Sequence, residues 1–520
     1  MWRAPRHIWR LIRTGATFER TGALAVILED QAVPRAAQIP IRAVGRLFGL
    51  LGASGDPSLP PVARACQAMG PAYVKFGQIL STRPDIVGNA IVEQLRVLQD
   101  RLPAFPLEQA RATIETELGP EGAALFEEIE PPVAAASIAQ VHPARWRDTG
   151  QRVAIKVLRP GVAQQFRADI GSFYFIAGAV ELIAPFARRL RPRMVVGHFE
   201  SVVLTELDLR LEAASASQFR DNTRADPRFR VPRVFWEGTG RRVLTLEWCE
   251  GLPFNAPAVV EAGQDCSEIA TRLLQTFLNH ALRDGFFHGD MHQGNLRLDR
   301  DGTIIAMDFG IMGRLDAITR RHFAEIIYGF VTRNYRRVAE VHIEAGYVPA
   351  DRDVDEFALA LRSISEPIFN QDASRISMAR LLAYLLETTE RFGMETRTEL
   401  ILLQRTMLVV EGVSRSLDPR CNIWRAAAPV VETWISENLG PRQAVRDLRD
   451  GLMVLSRLGP RLPGVAEEMV MLAEEARLKR LRGPVAVDIR AWPSVASRLG
   501  LMLAFALGAA LALAAVVMLD

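Results

Sequence analysis

A chain of 520 residues, 49% apolar and 24% charged, is long enough for two or three packed units and too apolar to be disordered. Its formal charge of only +3 gives no overall attraction to nucleic acid, which is not expected as a partner. Cys66, Cys249, Cys266 and Cys421 form no Cys-x-x-Cys pair and no zinc-type spacing, which points to a reduced, cytosol-facing protein without a structural metal.

In chain order, residues 1–60 open with Arg3, Arg6, Arg10 and Arg13 on one side of an ideal helix and Ile8, Trp9, Leu11 and Ile12 on the other. Such a helix suits an anionic membrane surface, or packing on its own domain with a solvated basic face. Gly52 to Pro61 reads as a linker. Residues 61–120 form a helical extension, with a helical stretch from Val62 to Asp100 interrupted near Arg83-Pro84. Within residues 121–246, the expected small lobe, the pattern from about Phe126 to Arg159 turns short and strand-like, and Gln151 to Leu158 alternates until Arg159-Pro160-Gly161 stops it. Helices are predicted over 163–190 and 194–219, and strands over 231–236 and 242–248. Residues 247–440 are predicted to be mainly helical, except for a strand over 303–307 that delivers Asp308.

Residues 441–498 form a helical juxtamembrane region before the uncharged run 499–519, which is long enough to cross a bilayer core. Arg477, Lys479, Arg480, Arg482, Arg490 and Arg498 precede it, so the bulk of the protein is expected in the cytoplasm. Gly500, Ala504, Gly508 and Ala512 recur every four residues; they would suit a homodimer contact or reflect Ala-rich composition alone. The fold class expected is α+β, a smaller mixed lobe followed by a larger helical one, with a mostly helical N-terminal extension and a C-terminal transmembrane helix.

Three strings carry the chemistry, in order: Val153-Ala154-Ile155-Lys156, His288-Gly289-Asp290 with Asn295 five residues on, and Asp308-Phe309-Gly310. Lys156 projects from a β-branched strand as a cation for phosphate oxygens. Asp290 would face a nucleophile or water, while Asn295 and Asp308 offer hard oxygen ligands to Mg²⁺ beside ATP. His288 and His292 are read as orienting the loop rather than binding a transition metal. In that order the three strings resemble the phosphate-handling parts of a bilobal protein-kinase-like fold, and two features depart from ordinary kinases. Where a glycine-rich loop would precede Lys156 stands Ala134-Ala135-Ala136-Ser137-Ile138-Ala139-Gln140-Val141-His142, whose side chains restrict backbone approach to phosphate. Helix-like sequence also follows Gly310 almost at once, leaving little room for an activation segment.

Lys75-Phe76-Gly77-Gln78, Ser81-Thr82-Arg83-Pro84-Asp85, the Ala-rich loop, Glu206-Leu207-Asp208 and His288 to Asn295 together resemble the UbiB family of atypical kinase-like proteins that support ubiquinone biosynthesis. Glu366-Pro367-Ile368-Phe369 and Leu403-Gln404-Arg405-Thr406 extend the resemblance over nearly the whole chain. The resemblance implies that the Lys75 helix folds over the region where a protein substrate would bind, and that Lys75 and Gln78 enter the active-site region. It implies that Glu206 and Asp208 meet that helix, and that Glu212, with Glu206 the other candidate, is the acidic partner of Lys156. Glu247, Trp248 and Cys249 would offer backbone groups to adenine. Relatives commonly end in two hydrophobic segments, whereas this chain has room for one.

The function expected from these residues and this resemblance is that of a membrane-anchored, Mg²⁺-dependent ATPase or small-molecule kinase at the inner membrane. Its partners would be membrane lipid, quinone-precursor lipids and quinone-biosynthesis enzymes. A true protein kinase, or a scaffold gated by nucleotide, are the alternatives. Ring hydroxylation is disfavoured, because neither a flavin fingerprint nor a metal cluster is present in the sequence.

Overall fold

The structure, a computed structural model, describes residues 4–30, 49–81, 88–98, 104–183, 192–369, 392–393 and 398–438. They divide into two compact units. The first takes in the chain up to Ala214 together with Val234–Trp248; the second takes Ser215–Arg233 and resumes at Cys249.

The first unit begins with α1 (Ala4–Thr21), α2 (Ala23–Asp30), α3 (Pro61–Met69), α4 (Pro71–Leu80), α5 (Asn89–Leu95) and α6 (Leu107–Ala123). The helix expected from Val62 breaks early, at Gly70-Pro71. Gly70 adopts φ 106°, which disfavours a side chain, and Pro71 opens α4 where its missing N–H is no loss. The interruption expected at Arg83-Pro84 lies outside the described residues. Helix α1 packs on its own unit. Thr14 and Thr17 are buried, and the Thr14 hydroxyl lies 2.9 Å from that of Tyr73. Arg10 donates to Asp169 at 2.7 Å.

Next come β1 (Phe126–Glu127), β2 (Ala134–Ala135), β3 (Ala139–Trp146) and β4 (Arg152–Leu158), then α7 (Val162–Ile183), α8 (Pro192–Glu206) and α9 (Leu209–Asn222). After β5 (Phe229–Arg230), which belongs to the second unit, β6 (Val243–Glu247) completes an antiparallel sheet in the order β1-β3-β4-β6, with β2 paired to β3. Alternation in β4 sends Val153, Ile155 and Val157 into a core with Phe105, Ile114, Trp146 and Phe235. Arg152, Ala154 and Lys156 stand on the other face. The single helix expected over 194–219 is split at Leu207-Asp208, and the strand expected over 231–236 is absent. Pro232 has no N–H to give a sheet, and only Val234 makes a bridge, to Leu246.

The second unit contains β7 (Leu252–Pro253), α10 (Ala256–Glu261), α11 (Cys266–Asn279), β8 (Phe286–His288), β9 (Leu296–Leu298), β10 (Ile304–Ala306) and β11 (Met312–Arg314). Helices α12 (Ala317–Val331), α13 (Tyr335–Glu344), α14 (Val354–Phe369), α15 (Thr398–Leu417) and α16 (Ile423–Asn438) follow. Asn255 and Asp265 cap α10 and α11 by accepting from Ala258 and Ser267 N–H groups. One sheet runs β5-β10-β9-β7 and a second pairs β8 with β11. Strands β8, β9 and β11 fall where sequence pattern predicted helix; at three residues each they are too short to show a period. Helix α15 and helix α16 both pack on α11.

Residues 441–498 and the expected transmembrane run 499–519 lie outside the described residues. Among the described residues no helix is long and apolar enough to cross a membrane.

Candidate functional site

In the first unit, Lys156 donates from β4 to both carboxylate oxygens of Glu212, at 2.7 and 2.9 Å. Glu212 lies in the first turn of α9, where the helix dipole favours an anion. The pair is largely buried, with side chains 17% and 8% exposed. Glu206, the other candidate, is taken by Lys75 at 2.7 Å.

Helix α4 is placed by the residues around Lys75. Phe76 enters an aromatic cluster, its ring 5.2 Å from those of Phe173 and Phe199. At Gly77 an added Cβ would stand 2.6 Å from the Leu98 side chain, so glycine permits the close approach of α4 to the Leu95–Leu98 turn. Gln78 donates to the Leu98 carbonyl at 3.4 Å. Asp208, expected to meet this helix, is engaged elsewhere. It accepts from Arg210 at 2.9 and 2.6 Å and faces Arg241 at 3.8 Å, because it stands in the turn between α8 and α9.

The Ala-rich segment is the β2–β3 hairpin. Ala134 and Ala135 pair with Val141 and Gln140, and the Ala136 N–H closes the turn on the Ala139 carbonyl at 2.8 Å. Arg159 donates twice to the Ala136 carbonyl, at 3.0 and 2.9 Å, and its backbone N–H to that of Ile138 at 2.8 Å. Ser137 is buried and Ile138 half-buried. Of the nine residues from Ala134 to His142, Gln140 and His142 have buried polar side chains committed to structure. Gln140 exchanges hydrogen bonds with both backbone groups of Phe105, at 3.0 and 3.1 Å. His142 donates through Nδ1 to the Glu130 carbonyl at 2.9 Å, leaving Nε2 to accept from Gln140 at 2.8 Å. Burial lowers its pKa, in keeping with a neutral ring.

At the expected hinge, Glu247 ends β6 opposite Val153. The Trp248 N–H is spent on the Arg152 carbonyl at 3.2 Å, and the Arg152 guanidinium lies 4.4 Å from the Trp248 ring centre. The Trp248 N–H, expected to be offered to adenine, is therefore already engaged within the sheet. Cys249 is half-buried, is in no disulfide, and begins the second unit's main stretch.

In the second unit, β8 leads into the loop Gly289 to Asn295, whose polar groups are individually paired. The Gly289 N–H donates to the Ile311 carbonyl at 2.9 Å. Buried His288 donates through Nε2 to the Met307 carbonyl at 3.1 Å, so its Nδ1 accepts the Asp290 N–H at 3.1 Å. Burial pushes the His288 pKa down, against the opposing pull of the Met307 carbonyl and the Asp308 and Asp290 carboxylates. A neutral His288 that bridges two backbone segments orients the loop. His292 accepts the Gly294 N–H at 2.9 Å and stands 3.6 Å from the Asp290 carboxylate.

Asn295 donates its amide to the Asp290 carbonyl at 3.0 Å and to its carboxylate at 3.4 Å. That fixes which end of the Asn295 side chain is nitrogen and leaves Oδ1 as a ligand oxygen. The Met307 N–H donates to the Asn295 carbonyl at 2.8 Å, which sets Asn295 opposite the residue before Asp308. Asp308 has φ 58°, a region Asp tolerates better than most side chains, and its Oδ1 accepts the Gly310 N–H at 3.1 Å. Its carboxylate is exposed, whereas neighbouring Phe309 is buried against His288 and Phe219, with ring centres 5.7 and 6.2 Å apart. One buried Phe contributes roughly 1.5–3 kcal/mol, enough to anchor an exposed acid in an unusual backbone conformation.

Among the described residues no group of three His, Cys, Asp or Glu side chains forms a metal cluster. Mg²⁺ needs none, since it keeps waters and phosphates and takes one or two protein oxygens. Asn295 Oδ1 and the Asp308 carboxylate fit that requirement. Thr406 is a residue whose role the sequence did not reveal: its hydroxyl, 117 residues away in sequence, lies 2.9 Å from the Gly289 carbonyl. From Gly310 to the α12 cap Asp316 the chain spends Met312–Arg314 on β11, so no long segment stands there for docking a peptide.

These features define an atypical kinase-like protein. Residues 97–342 match the ABC1 atypical kinase-like domain, and residues 361–422 match the UbiB helical domain. A probable protein kinase UbiB of Marinobacter nauticus is 40% identical over 413 residues, covering 78% of this chain and 75% of that protein. Another, of Edwardsiella ictaluri, is 39% identical over 444 residues, or 84% and 82% of the two chains. The chain belongs to the UbiB family. Among solved structures, the Rv3197–erythromycin complex from Mycobacterium tuberculosis is similar over 76% of this chain and 97% of that one, with 26% identity and a TM-score of 0.51.

Proposed function

We propose that this protein binds Mg²⁺-ATP and turns it over, as an ATPase or small-molecule kinase that supports ubiquinone biosynthesis at the inner membrane. The observation that carries the reading is the pairing of Asn295 with Asp290, which leaves an amide oxygen and the nearby Asp308 carboxylate as hard ligands. Lys156, held extended by Glu212, supplies the cation for phosphate oxygens. The hairpin of Ala134 to Ala139 covers phosphate with backbone N–H groups, and Glu247, Trp248 and Cys249 offer the remaining backbone groups to adenine. Mg²⁺, when bound, neutralises phosphate charge. Asp290, half-exposed and oriented by His288 and Asn295, positions the attacking water or acceptor hydroxyl and takes its proton.

Membrane lipid and quinone-precursor lipids are the partners this reading names, with residues 499–519 as the anchor and quinone-biosynthesis enzymes as neighbours. The name of the relatives suggests a protein acceptor instead. The short stretch between Gly310 and α12, and the Lys75–Glu206 pair that ties α4 within its unit, favour a small acceptor or water. Purified protein with Mg²⁺ and labelled ATP, with and without anionic vesicles and a quinone-precursor-like phenol, tests both points. Free phosphate or a phosphorylated phenol supports the proposal. Phosphate transferred to protein supports the protein kinase, and no Mg²⁺-dependent product overturns the enzymatic reading.

A further inference from the structure

The Gly289 N–H, the Asp290 N–H and the Asp290 carbonyl find partners within the kinase-like domain, in Ile311, His288 and Asn295. The carbonyl of Gly289, one residue before Asp290, is buried, and among the described residues its donor is the hydroxyl of Thr406. Thr406 belongs to α15, inside the matched helical domain, and is itself fully buried. The same helix touches the loop again where Gln293 donates to Ser416 Oγ at 2.6 Å. That second tie is exposed and so competes with water, whereas the Thr406 tie is shielded. Leu402, one turn before Thr406, closes on the same spot: a Cβ added at Gly289 would meet the Leu402 side chain at 3.2 Å.

A plainer reading is that Thr406 merely returns its hydroxyl to its own helix, since Oγ1 also lies 2.8 Å from the Leu402 carbonyl. The Leu402 carbonyl already has the helical N–H of Thr406 within its reach by the α-helical pattern. The Gly289 carbonyl has no such alternative, and a buried carbonyl left unpaired is costly. The shared proton is therefore worth more on Gly289.

We propose that Thr406 is a positioning residue for the reaction: from the helical domain it fixes the Gly289–Asp290 peptide and thereby sets where the Asp290 carboxylate points. The inference rests on the reading of Asp290 as the group that orients the nucleophile. It makes the helical domain part of the catalytic apparatus, because the tie from α15 falls on the peptide that carries Asp290.

Thr406→Val keeps shape and removes the donor; Thr406→Ser restores it. With Mg²⁺-ATP, Thr406→Val is expected to lose about 10- to 100-fold in kcat, the cost of misplacing a reacting group by about an ångström, with KM for ATP within about twofold. Thr406→Ser is expected to recover most of kcat. Wild-type kcat in Thr406→Val, or equal losses in both variants, overturns the inference. If the wild-type protein itself shows no turnover, the functional reading fails and amide exchange decides the structural part. Faster exchange at residues 289–295 in Thr406→Val than in Thr406→Ser upholds the tie, and identical exchange overturns it. Should Thr406→Val not fold, Thr406→Ala is carried through the same measurements with the same criteria.

Discussion

The two units hold their functional side chains by different means. In the first, Lys75 and Lys156 are long cations held by Glu206 and Glu212 in ion pairs that are largely buried. In the second, Asn295 and Asp308 are short side chains whose direction is set by hydrogen bonds to the backbone around them, and the Asp290 carboxylate accepts from the Asn295 amide. Charge in the first unit is thus part of the unit's stability, while charge in the second is placed at little cost to it. A phosphate at Lys156, as proposed, would compete with a carboxylate already there. A metal at Asp308, as proposed, would meet an exposed oxygen already oriented by the Gly310 N–H.

Glu212→Gln is the harshest test of this contrast. It leaves Lys156 without its anion in a largely buried site, and the first unit is expected to lose about 3–5 kcal/mol in denaturant or thermal melting. Asp308→Asn should do the opposite. Asparagine also tolerates positive φ, so melting should stay within about 0.5 kcal/mol of wild type. Mg²⁺-dependent turnover should fall by about 100-fold or more. If Glu212→Gln melts like wild type, or Asp308→Asn unfolds the chain, the contrast fails.

Acid sharpens it further, because one buried carboxylate in each unit is shifted in opposite directions. In the second unit burial raises the Asp226 pKa, but hydrogen bonds from His280 and Arg283 outweigh it and hold the value at about 2. Its folded pKa is below the unfolded one, so this group adds stability at neutral pH, about 2 kcal/mol, that is lost as pH falls from about 4 to about 2. Wild type minus Asp226→Asn, followed by denaturant melting across that window, should show the loss.

In the first unit burial raises Asp169 to about 6 even though Arg10 pulls it down. Its folded pKa exceeds the unfolded one, so stability from this group falls as pH rises from about 4 to about 6. Asp169→Asn should flatten that slope. Slopes of the same sign at the two sites would contradict the assignment.

How much of this could be read from the sequence follows from distance along the chain. Lys156 on a strand, and the order of Asp290, Asn295 and Asp308, are local patterns. The Lys75–Glu206 and Lys156–Glu212 pairings came from family resemblance, since periodicity gives no reason to prefer one glutamate over another. Thr406 was invisible as a positioning residue because its partner is 117 residues away and a threonine in a helix looks ordinary. Gln140 and His142 looked like loop residues near phosphate. Only their bonds to Phe105 and Glu130 show that they brace the strand. Asp208 was misdirected for a local reason: a turn between two helices offered it Arg210, two residues on.

The proposed function requires that Lys156 and Asp308 each be needed for Mg²⁺-dependent ATP turnover. Mg²⁺-dependent ATP turnover should be measured for wild type, Lys156→Met, Asp308→Asn and the double variant. If both residues act on one reaction, each single change removes nearly all turnover, and the double variant is no slower than the worse single one beyond background. Full turnover in either single variant, or none that depends on Mg²⁺ in the wild type, would contradict it.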